Sequence, residues 1–345
     1  MALKQSENGD HSEPSRSVDP SLARAKVLIT GANGFVGRAL CERLVASGAE
    51  VTGAIRGSDS GVVPTAGTRT VTVGDVDSKT EWMKAVNGID CVVHLAARVH
   101  VRRQAANRAF DEFREVNVMG SERLAREAAK AGVQRLVYVS SIKVNGEYTT
   151  DRPFFPGDVS HPTDAYAHSK REAESVLGEV GRQTGMEIVI VRPPLVYGPG
   201  VKGNFLAMLR VVQAGLPLPL AACTNHRSLL GLSNLVDLLA LCVRHPAATG
   251  QIFLAADGED ISTPELARRV ASALGKQARL FSVPPSLLWI AARVVGKPEL
   301  YDRLCGSLQV DIGQTRRVLG WTPATSVDAE LVRTALWFLG KDVQG

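Results

Sequence analysis

The sequence lacks several features that would point to specialised classes of protein. Aromatic residues make up only 5% of its 345 residues, and its 40 basic and 35 acidic side chains are scattered along the chain. Nucleic-acid binding uses a basic stripe with interleaved aromatic residues, so we do not expect a nucleic acid as partner. No apolar run reaches the roughly 18–20 residues of a membrane-crossing helix, so we expect no membrane span.

The five cysteines show neither a Cys-x-x-Cys pair nor the spacing of metal ligands, so we predict no metal site. Three of them, Cys41, Cys91 and Cys242, lie within apolar runs, which is typical of reduced core residues in a cytoplasmic protein. Residues 1–22 are polar and lack the apolar segment of a signal peptide. We therefore expect a disordered tail there.

A glycine-rich turn organises the chain. Residues 26–37 read KVLITGANGFVG, a short apolar run followed by glycines at 31, 34 and 37 and then by a segment with helical periodicity. Strand, glycine turn and helix form the first unit of a dinucleotide-binding sheet, in which the turn and the helix N-terminus face a pyrophosphate. The spacing differs from the usual Gly-x-Gly-x-x-Gly, and an ordinary glycine-rich loop is the alternative.

Strand and helix patterns alternate from residue 26 to residue 141. We predict further strands at 50–56, 70–75, 91–97, 136–141 and 187–192, and helices at 78–86, 107–131 and 164–181. This alternation predicts an α/β fold, a doubly wound parallel sheet with a smaller C-terminal lobe. We place the dinucleotide-binding domain at 23–198 and a mainly substrate-binding lobe at 199–345, with helices near 204–214, 233–244, 263–274, 285–296, 313–319 and 328–339.

The end of the second predicted strand bears on the choice of cofactor. An acidic residue there binds the ribose hydroxyls of NAD, whereas an arginine accommodates the 2′-phosphate of NADP. The sequence has Arg56, which favours NADP(H) over NAD(H), although the arginine could instead stack on adenine without choosing. Asp75, after the third strand, is a candidate to bind the adenine amino group. We expect His94 to be a buried, hydrogen-bonded core residue.

Three residues suggest hydride chemistry. Tyr166 and Lys170 share one face of a predicted helix, and Ser141 ends a predicted strand. Hydride transfer at a carbinol carbon needs a group that exchanges a proton with its oxygen, and a phenol of pKa about 10 must become more acidic by about three units, or roughly 4 kcal/mol. An ammonium about 4 Å away supplies approximately that much at an effective dielectric near 20. Ser141 would hydrogen-bond the substrate oxygen. A surface Tyr–Lys pair is the alternative.

At these motifs the chain resembles the extended short-chain dehydrogenase/reductases of the NAD-dependent epimerase/dehydratase family. TGANGFVG resembles the cofactor turn of that family, VYVSSIKVNGE its catalytic-serine strand, and AYAHSK its Tyr-x-x-x-Lys motif. RPPLVYGPG and SLLGLSNLVDLL resemble two later family segments. The resemblance covers about residues 26–339.

The resemblance implies roles residue by residue. Ser141, Tyr166 and Lys170 become catalytic, and the last two also contact the cofactor. The other implied cofactor contacts are Gly31, Gly34, Phe35, Val36, Gly37, Arg56, Asp75, Val76, Leu95 and Ala96. Asn204 and Arg227 fall where the family contacts a nucleotide diphosphate, and Arg303 is a weaker candidate of the same kind. Lys143 departs from the family pattern and either brings a cation near the substrate or is solvated.

The branch that the chain resembles makes nucleotide sugars for bacterial surface polysaccharides, including the O-antigen of lipopolysaccharide. We predict NAD(P)-dependent reduction of the 4-keto group of a UDP-linked 6-deoxy-N-acetylhexosamine, of the UDP-N-acetylquinovosamine type. The alternative is a UDP-glucose or UDP-N-acetylglucosamine 4-epimerase. Dehydration ranks third, because 163–165 does not match the Asp-Glu pair of dehydratases. A catalytically silent dinucleotide sensor stays open. A homodimer through the helices at 107–131 and 164–181 is also implied.

Overall fold

The structure is a computed structural model that describes residues 22–57, 65–99, 106–294, 296 and 298–341. The predicted disordered tail therefore lies outside the described residues, except for Leu22, which is buried in the core.

A seven-stranded sheet forms the centre of the fold, and all its strands are parallel. Its spatial order is β3 (Arg69–Thr72), β2 (Glu50–Ile55), β1 (Lys26–Thr30), β4 (Cys91–His94), β5 (Arg135–Val139), β6 (Glu187–Arg192) and β9 (Ile252–Leu254). The predicted doubly wound parallel sheet is confirmed. The seventh strand was not predicted, and β2 to β5 end earlier than expected, because their last residues belong to the loops at the carboxyl edge.

The helices are α1 (Phe35–Ala46), α2 (Met83–Val86), α3 (Ala106–Arg114), α4 (Gly120–Lys130), α5 (Ala165–Thr184), α6 (Gly203–Gln213), α7 (Leu232–Arg244), α8 (Thr263–Ala273), α9 (Pro285–Val294), α10 (Pro298–Cys305), α11 (Gly313–Leu319) and α12 (Val327–Phe338). The predicted helix at 107–131 is present, but a π-helical turn, Glu115–Met119, joins α3 to α4. The helix predicted at 78–86 is limited to α2, and α10 was not predicted.

Both faces of the large sheet are covered by helices. Along β1, Val27 and Ile29 belong to the core beneath α1 and α7, whereas Leu28 belongs to the core beneath α4 and α5. This alternation is the two-residue period of a strand that is buried on both sides. It explains why the strands read as continuous apolar runs, and it leaves the carboxyl edge of the sheet as the accessible place for a ligand.

The C-terminal half of the chain contributes strands to both sheets of the fold. A second sheet has the order β10 (Asp260–Ile261), β8 (Arg227–Gly231) and β7 (Leu195–Tyr197), and a separate core that includes Phe205, Leu266 and Leu331 packs around it. However, β9 pairs with β6 in the large sheet, and α7 packs against α1. The division of the chain at residue 198 stays a prediction.

The cysteines divide into two groups. Cys41, Cys91 and Cys242 are buried and unbonded, as predicted. Cys223 and Cys305 form a disulfide with 5.3 Å between their Cα atoms, which the sequence did not indicate because 82 residues separate them. None of the described helices is long and apolar enough to cross a membrane.

Candidate active site

The glycine turn is shaped for a close approach of backbone atoms. Gly31 has φ +67°, and a Cβ atom there would lie 3.1 Å from the backbone nitrogen of Ala96. A Cβ atom on Gly37 would lie 2.8 Å from the Cα of Ala32, so the helix can pack on the turn only with glycine at this position. Gly34 caps α1 without a side-chain hydrogen bond, which leaves first-turn N–H groups available to an anion.

A cavity of about 550 Å³ opens beside this turn, at the carboxyl edge of β1, β2 and β4. The predicted cofactor residues that line it are Gly31, Gly34, Arg56, Val76, Leu95 and Ala96. A second cavity of about 630 Å³ is lined by Arg56, Asp75 and Val76, while Phe35 and Val36 lie at the start of α1. Glycine backbone, free helix N–H groups and an apolar slot fit a dinucleotide. The described residues contain no cluster of three or more metal-ligating side chains.

The two residues expected to meet adenosine contact each other. Arg56 Nε lies 2.8 Å from Asp75 Oδ1, and both side chains are about three-quarters exposed, at 77% and 74%. An exposed ion pair of this kind contributes little to stability, so either group can turn to a ligand at low cost.

A buried chain of hydrogen bonds connects β1, β4 and α4 beside the first cavity. The ring of His94 contacts Thr30 Oγ1 at 2.6 Å through Nδ1 and Ser121 Oγ at 2.9 Å through Nε2. Since Ser121 donates to the carbonyl of Asn117, it accepts from His94, and we assign the Nε2–H tautomer. Burial lowers the pKa of His94 to about 3, and the charge of Lys170 acts in the same direction. The expectation of a hydrogen-bonded core histidine is confirmed.

Asn117 is a structural residue of the site that the sequence did not indicate. It lies on the π-helical turn, where its side chain accepts from the backbone N–H of Arg98 at 2.8 Å and donates to the carbonyl of Arg98 at 3.1 Å. It also donates to Ser169 Oγ at 2.9 Å. Asn117 thus ties the loop after β4 to α5. A polar residue on the buried side of an amphipathic helix was the available signal.

The structure brings Ser141, Tyr166 and Lys170 together. Ser141 begins the 3₁₀ turn Ile142–Val144, and its hydroxyl is near enough to the phenol of Tyr166 to lower the pKa of that group. Asp164 caps α5 by accepting from the N–H of Ala167 at 2.7 Å, and this places Tyr166 in the first turn. Lys170 is one turn further along and only 2% exposed.

The electrostatics of this trio differ from the expectation. Burial raises the pKa of Tyr166 to about 12, and Asp164 raises it too, whereas the hydroxyl of Ser141 lowers it. Burial lowers the pKa of Lys170 to about 7 against the charge of Glu174, which raises it. The Nζ atom of Lys170 lies 4.1 Å from the ring centroid of Tyr138. The expected acidification of the phenol by Lys170 is not seen in the ligand-free chain, because both groups lose solvation and a pKa of about 7 leaves Lys170 only partly protonated at neutral pH.

Lys143 forms ion pairs beside the trio. Its Nζ atom lies 2.5 Å from Asp164 Oδ2 and 2.9 Å from Glu147 Oε1. Burial would lower the pKa of Lys143, but hydrogen bonds to Asp164 and Glu147 outweigh burial and raise it. The side chain is one-third exposed, so it connects the serine turn with the cap of α5 at the rim of the site.

The predicted diphosphate residues lie in the C-terminal lobe. Arg227, at the start of β8, donates to the carbonyl of Gly306 at 2.9 Å, and burial lowers its pKa. Arg227 forms no ion pair with any described residue, although its guanidinium is partly buried and has lost solvation. Asn204 and Arg303 are exposed, on α6 and α10. The disulfide of Cys305 fastens the end of α10 near β8, which carries Arg227.

A buried ion pair fixes the helix that carries Tyr166 and Lys170. Arg192, at the end of β6, donates to both oxygens of Glu174 on α5, at 2.9 and 2.6 Å, and the two side chains are only 5% and 7% exposed. Arg192 also donates to Asn145 Oδ1 at 3.0 Å. Because Asn145 directly follows the serine turn, this network fixes α5, β6 and the serine turn in one arrangement.

Together, the parallel sheet, the glycine turn and the Ser–Tyr–Lys trio define an α/β enzyme that binds a nicotinamide dinucleotide. The model of the NAD dependent epimerase/dehydratase family matches residues 27–256. The chain therefore belongs to that family, as the resemblance implied.

Relatives agree with this assignment. The chain is 41% identical over 319 residues to a UDP-glucose 4-epimerase of Vibrio cholerae, covering 91% of this chain and 95% of the relative. It is 28% identical to the N-acetyl-alpha-D-glucosaminyl-diphospho-ditrans,octacis-undecaprenol 4-epimerase of Escherichia coli O157:H7, covering 75% of each. The solved structure of MoeE5 in complex with UDP-glucose and NAD superimposes with a TM-score of 0.72 at 25% identity, over 92% of this chain and 99% of that chain.

Proposed function

We propose that this NAD-dependent enzyme transfers a hydride at C4 of the hexose of a UDP-sugar, and that the overall reaction is 4-epimerisation. The observation that carries the proposal is the juxtaposition of Ser141 and Tyr166, one helical turn from Lys170, at the carboxyl edge of the dinucleotide sheet. The 41% identity to a UDP-glucose 4-epimerase supports the choice of reaction.

The residues of the chain would handle the proton in this reaction. Bound NAD would supply the hydride acceptor and, when oxidised, a positive charge that favours the phenolate form of a neighbouring tyrosine. Tyr166 would take the proton of the C4 hydroxyl while the hydride leaves C4, and would return it when the hydride re-enters from the opposite face. Ser141 would hold the C4 oxygen, and Lys170 would orient the phenol and the ribose.

Arg227 would bind the diphosphate. A partly buried guanidinium that has lost solvation gains from an anionic partner, and its planar fork matches two phosphate oxygens. Asn204 and Arg303 would assist from α6 and α10. The end of the helix that carries Arg303 is held near β8 by hydrogen bonds from Asn225 and Arg227 to the carbonyl of Gly306.

A second candidate is the 4-keto reduction of a UDP-linked 6-deoxy-N-acetylhexosamine. Arg56 favours this reading, because a reductase exchanges its cofactor at each turnover and can use NADPH, whereas an epimerase retains NAD. The acidic Asp75, 2.8 Å from Arg56, weighs against a free 2′-phosphate site. We also propose a cytoplasmic location and a role in surface polysaccharide synthesis, since nucleotide sugars are made for that purpose in the branch that the chain resembles.

A homodimer is part of the proposal. The helices α3, α4 and α5 would form its interface, and the exposed side chains of Phe110 and Met119 on α3 and the π-helical turn would be covered there. Replacing Phe110 with glutamate would then lower the mass of the particle in equilibrium sedimentation.

The activity test compares two substrates. Conversion of UDP-glucose to UDP-galactose without net use of cofactor supports epimerisation, whereas use of NADPH or NADH only with the UDP-4-keto-6-deoxy sugar supports reduction. Tyr166→Phe should lower turnover by about 10²–10⁴-fold. Tyr148→Phe, at an exposed tyrosine, serves as control and should keep full turnover. Unchanged turnover in Tyr166→Phe with bound cofactor would disprove the role of the phenol.

A further inference from the structure

The helix α9 exposes an unusual amount of apolar surface. Its sequence PSLLWIAARV contains one charged residue, and Ala292 is its only buried residue. The exposed fractions are 54% for Leu287, 49% for Ile290 and 81% for Val294. Scattered single apolar residues are normal on a surface, but a contiguous group of them indicates an interaction site.

The exposed side chains share one face of α9. Leu287, Ile290 and Val294 follow the spacing i, i+3, i+7 and therefore lie in one stripe along the helix. The helix contacts the protein through its other side, at Leu288, which is partly buried, and Ala292. The outward stripe is thus wholly apolar, and we call these three residues the α9 stripe.

Basic residues outnumber acidic ones around the α9 stripe. The described residues of 276–305 include four basic residues, Lys276, Arg279, Arg293 and Arg303, and two acidic residues, Glu299 and Asp302, which both lie on α10 beside α9. All six are exposed. The guanidinium carbon of Arg293 lies 4.1 Å from the ring centroid of Trp289, which is itself 42% exposed. An aromatic ring, a basic rim and an apolar stripe together match the interface of an anionic bilayer.

We propose that α9 docks the enzyme on an anionic phospholipid bilayer, with the α9 stripe in the acyl boundary and the basic residues at the lipid phosphates. The pairing of the exposed Trp289 ring with Arg293, at the edge of an apolar stripe with an excess of basic residues around it, fits the headgroup region of an anionic bilayer, and a second copy of the chain is the competing occupant that the test excludes. The helix α10 follows α9 and carries Arg303, so the docked bilayer would lie beside the C-terminal lobe. The docking is independent of which sugar reaction the active site performs.

The test is cosedimentation of the full chain with vesicles of equal parts phosphatidylglycerol and phosphatidylcholine. We expect binding that weakens in high salt and on vesicles of phosphatidylcholine alone, because salt screens the attraction and the neutral lipid lacks it. Ile290→Glu should reduce the partition coefficient by about tenfold or more, and Arg293→Glu should remove much of the salt dependence. Ile290 is half exposed, so its replacement leaves the fold intact.

Val332→Glu provides a matched control, since Val332 is 46% exposed on α12, away from α9. Its partition coefficient should equal that of the parent. The proposal is overturned if the parent stays in the supernatant with anionic vesicles, or if Val332→Glu loses binding as Ile290→Glu does. It is also overturned if Ile290→Glu dissociates a dimer in lipid-free sedimentation, which would assign the α9 stripe to a second copy.

Discussion

Removing one partner of the buried pair between Glu174 and Arg192 should destabilise the protein far more than removing both. Each side chain is less than one-tenth exposed, and two charge-assisted hydrogen bonds of 2.9 and 2.6 Å join them. In Glu174→Gln the guanidinium stays buried without its counter-charge. In the double variant Glu174→Met/Arg192→Met neither charge is buried, and side chains of similar volume fill the space.

The expected magnitude follows from the burial. Breaking a buried pair from one side costs about 3–5 kcal/mol, because the remaining charge keeps its desolvation penalty. A loss of about 4 kcal/mol lowers the folding equilibrium constant by about three orders of magnitude, a large share of a total stability of roughly 5–15 kcal/mol. Replacing both partners is often neutral, so the double variant should recover most of the loss. Asn145 would lose one hydrogen bond in the double variant but not in Glu174→Gln, because its partner is Arg192.

Urea unfolding followed by tryptophan fluorescence gives the free energies by linear extrapolation. Glu179→Gln, which breaks an exposed pair with Arg182 on the same helix α5, is the control and should show no measurable loss. The reasoning is refuted if Glu174→Gln is as stable as this control. It is equally refuted if Glu174→Met/Arg192→Met loses at least as much free energy of unfolding as Glu174→Met and Arg192→Met lose together, because the penalty would then not come from an unpaired charge.

Three further results are expected. Burial raises the pKa of Glu330 more than Ser233 and Arg333 lower it, so this carboxyl stabilises the fold only while protonated, and stability falls as the pH rises through its raised pKa. Glu330→Gln should therefore gain stability over the parent as the pH rises through that raised pKa, and should match the parent in acid, measured by urea unfolding. Asp75→Asn should free Arg56 and strengthen NADP(H) binding relative to NAD(H) by about threefold to tenfold in fluorescence titration. Lys143→Met should leave the charge of Asp164 unneutralised and so raise the pKa of Tyr166 further. The pH at which activity rises with ionisation of the phenol should then move upward, and kcat should fall.

Each of these results has a matched comparison. Asp328→Asn removes an exposed carboxyl from the first turn of the helix that carries Glu330, and should not reproduce its stabilisation. Arg56→Ser should abolish the gain of Asp75→Asn, and a gain that persists would exclude Arg56 as its source. Lys143→Arg keeps the cation and should restore the parent pH profile, and an equal shift in both variants would contradict the electrostatic explanation.

Much of the fold followed from local signals. The run Val27–Ile29, the glycines after it and the period of α1 specify one unit without reference to the rest of the chain. The strand β9 escaped prediction because three residues, Ile252–Leu254, are too short to show a period, and only their pairing with β6 makes them a strand.

The juxtaposition of Ser141, Tyr166 and Lys170 could be predicted from the sequence, but the electrostatics of these residues could not. The spacing of Tyr166 and Lys170 fixes their shared face, and the serine strand leads to the same edge of the sheet. The sign of their pKa shifts depends on burial, which spacing does not reveal. The contact of Asn117 with the loop after β4 likewise depends on the π-helical turn, a departure from the period on which helix prediction rests.

The position of β9 has a consequence for anyone who divides this protein. A fragment that stopped after β6 would leave the hydrogen-bonding edge of β6 unpaired. It would also expose the apolar surface of α1 that α7 covers in the whole protein. Such a truncated half should self-associate through that edge. Chimeras between relatives should therefore exchange only loops at the carboxyl edge of the sheet. All seven strands of the large sheet should come from one parent.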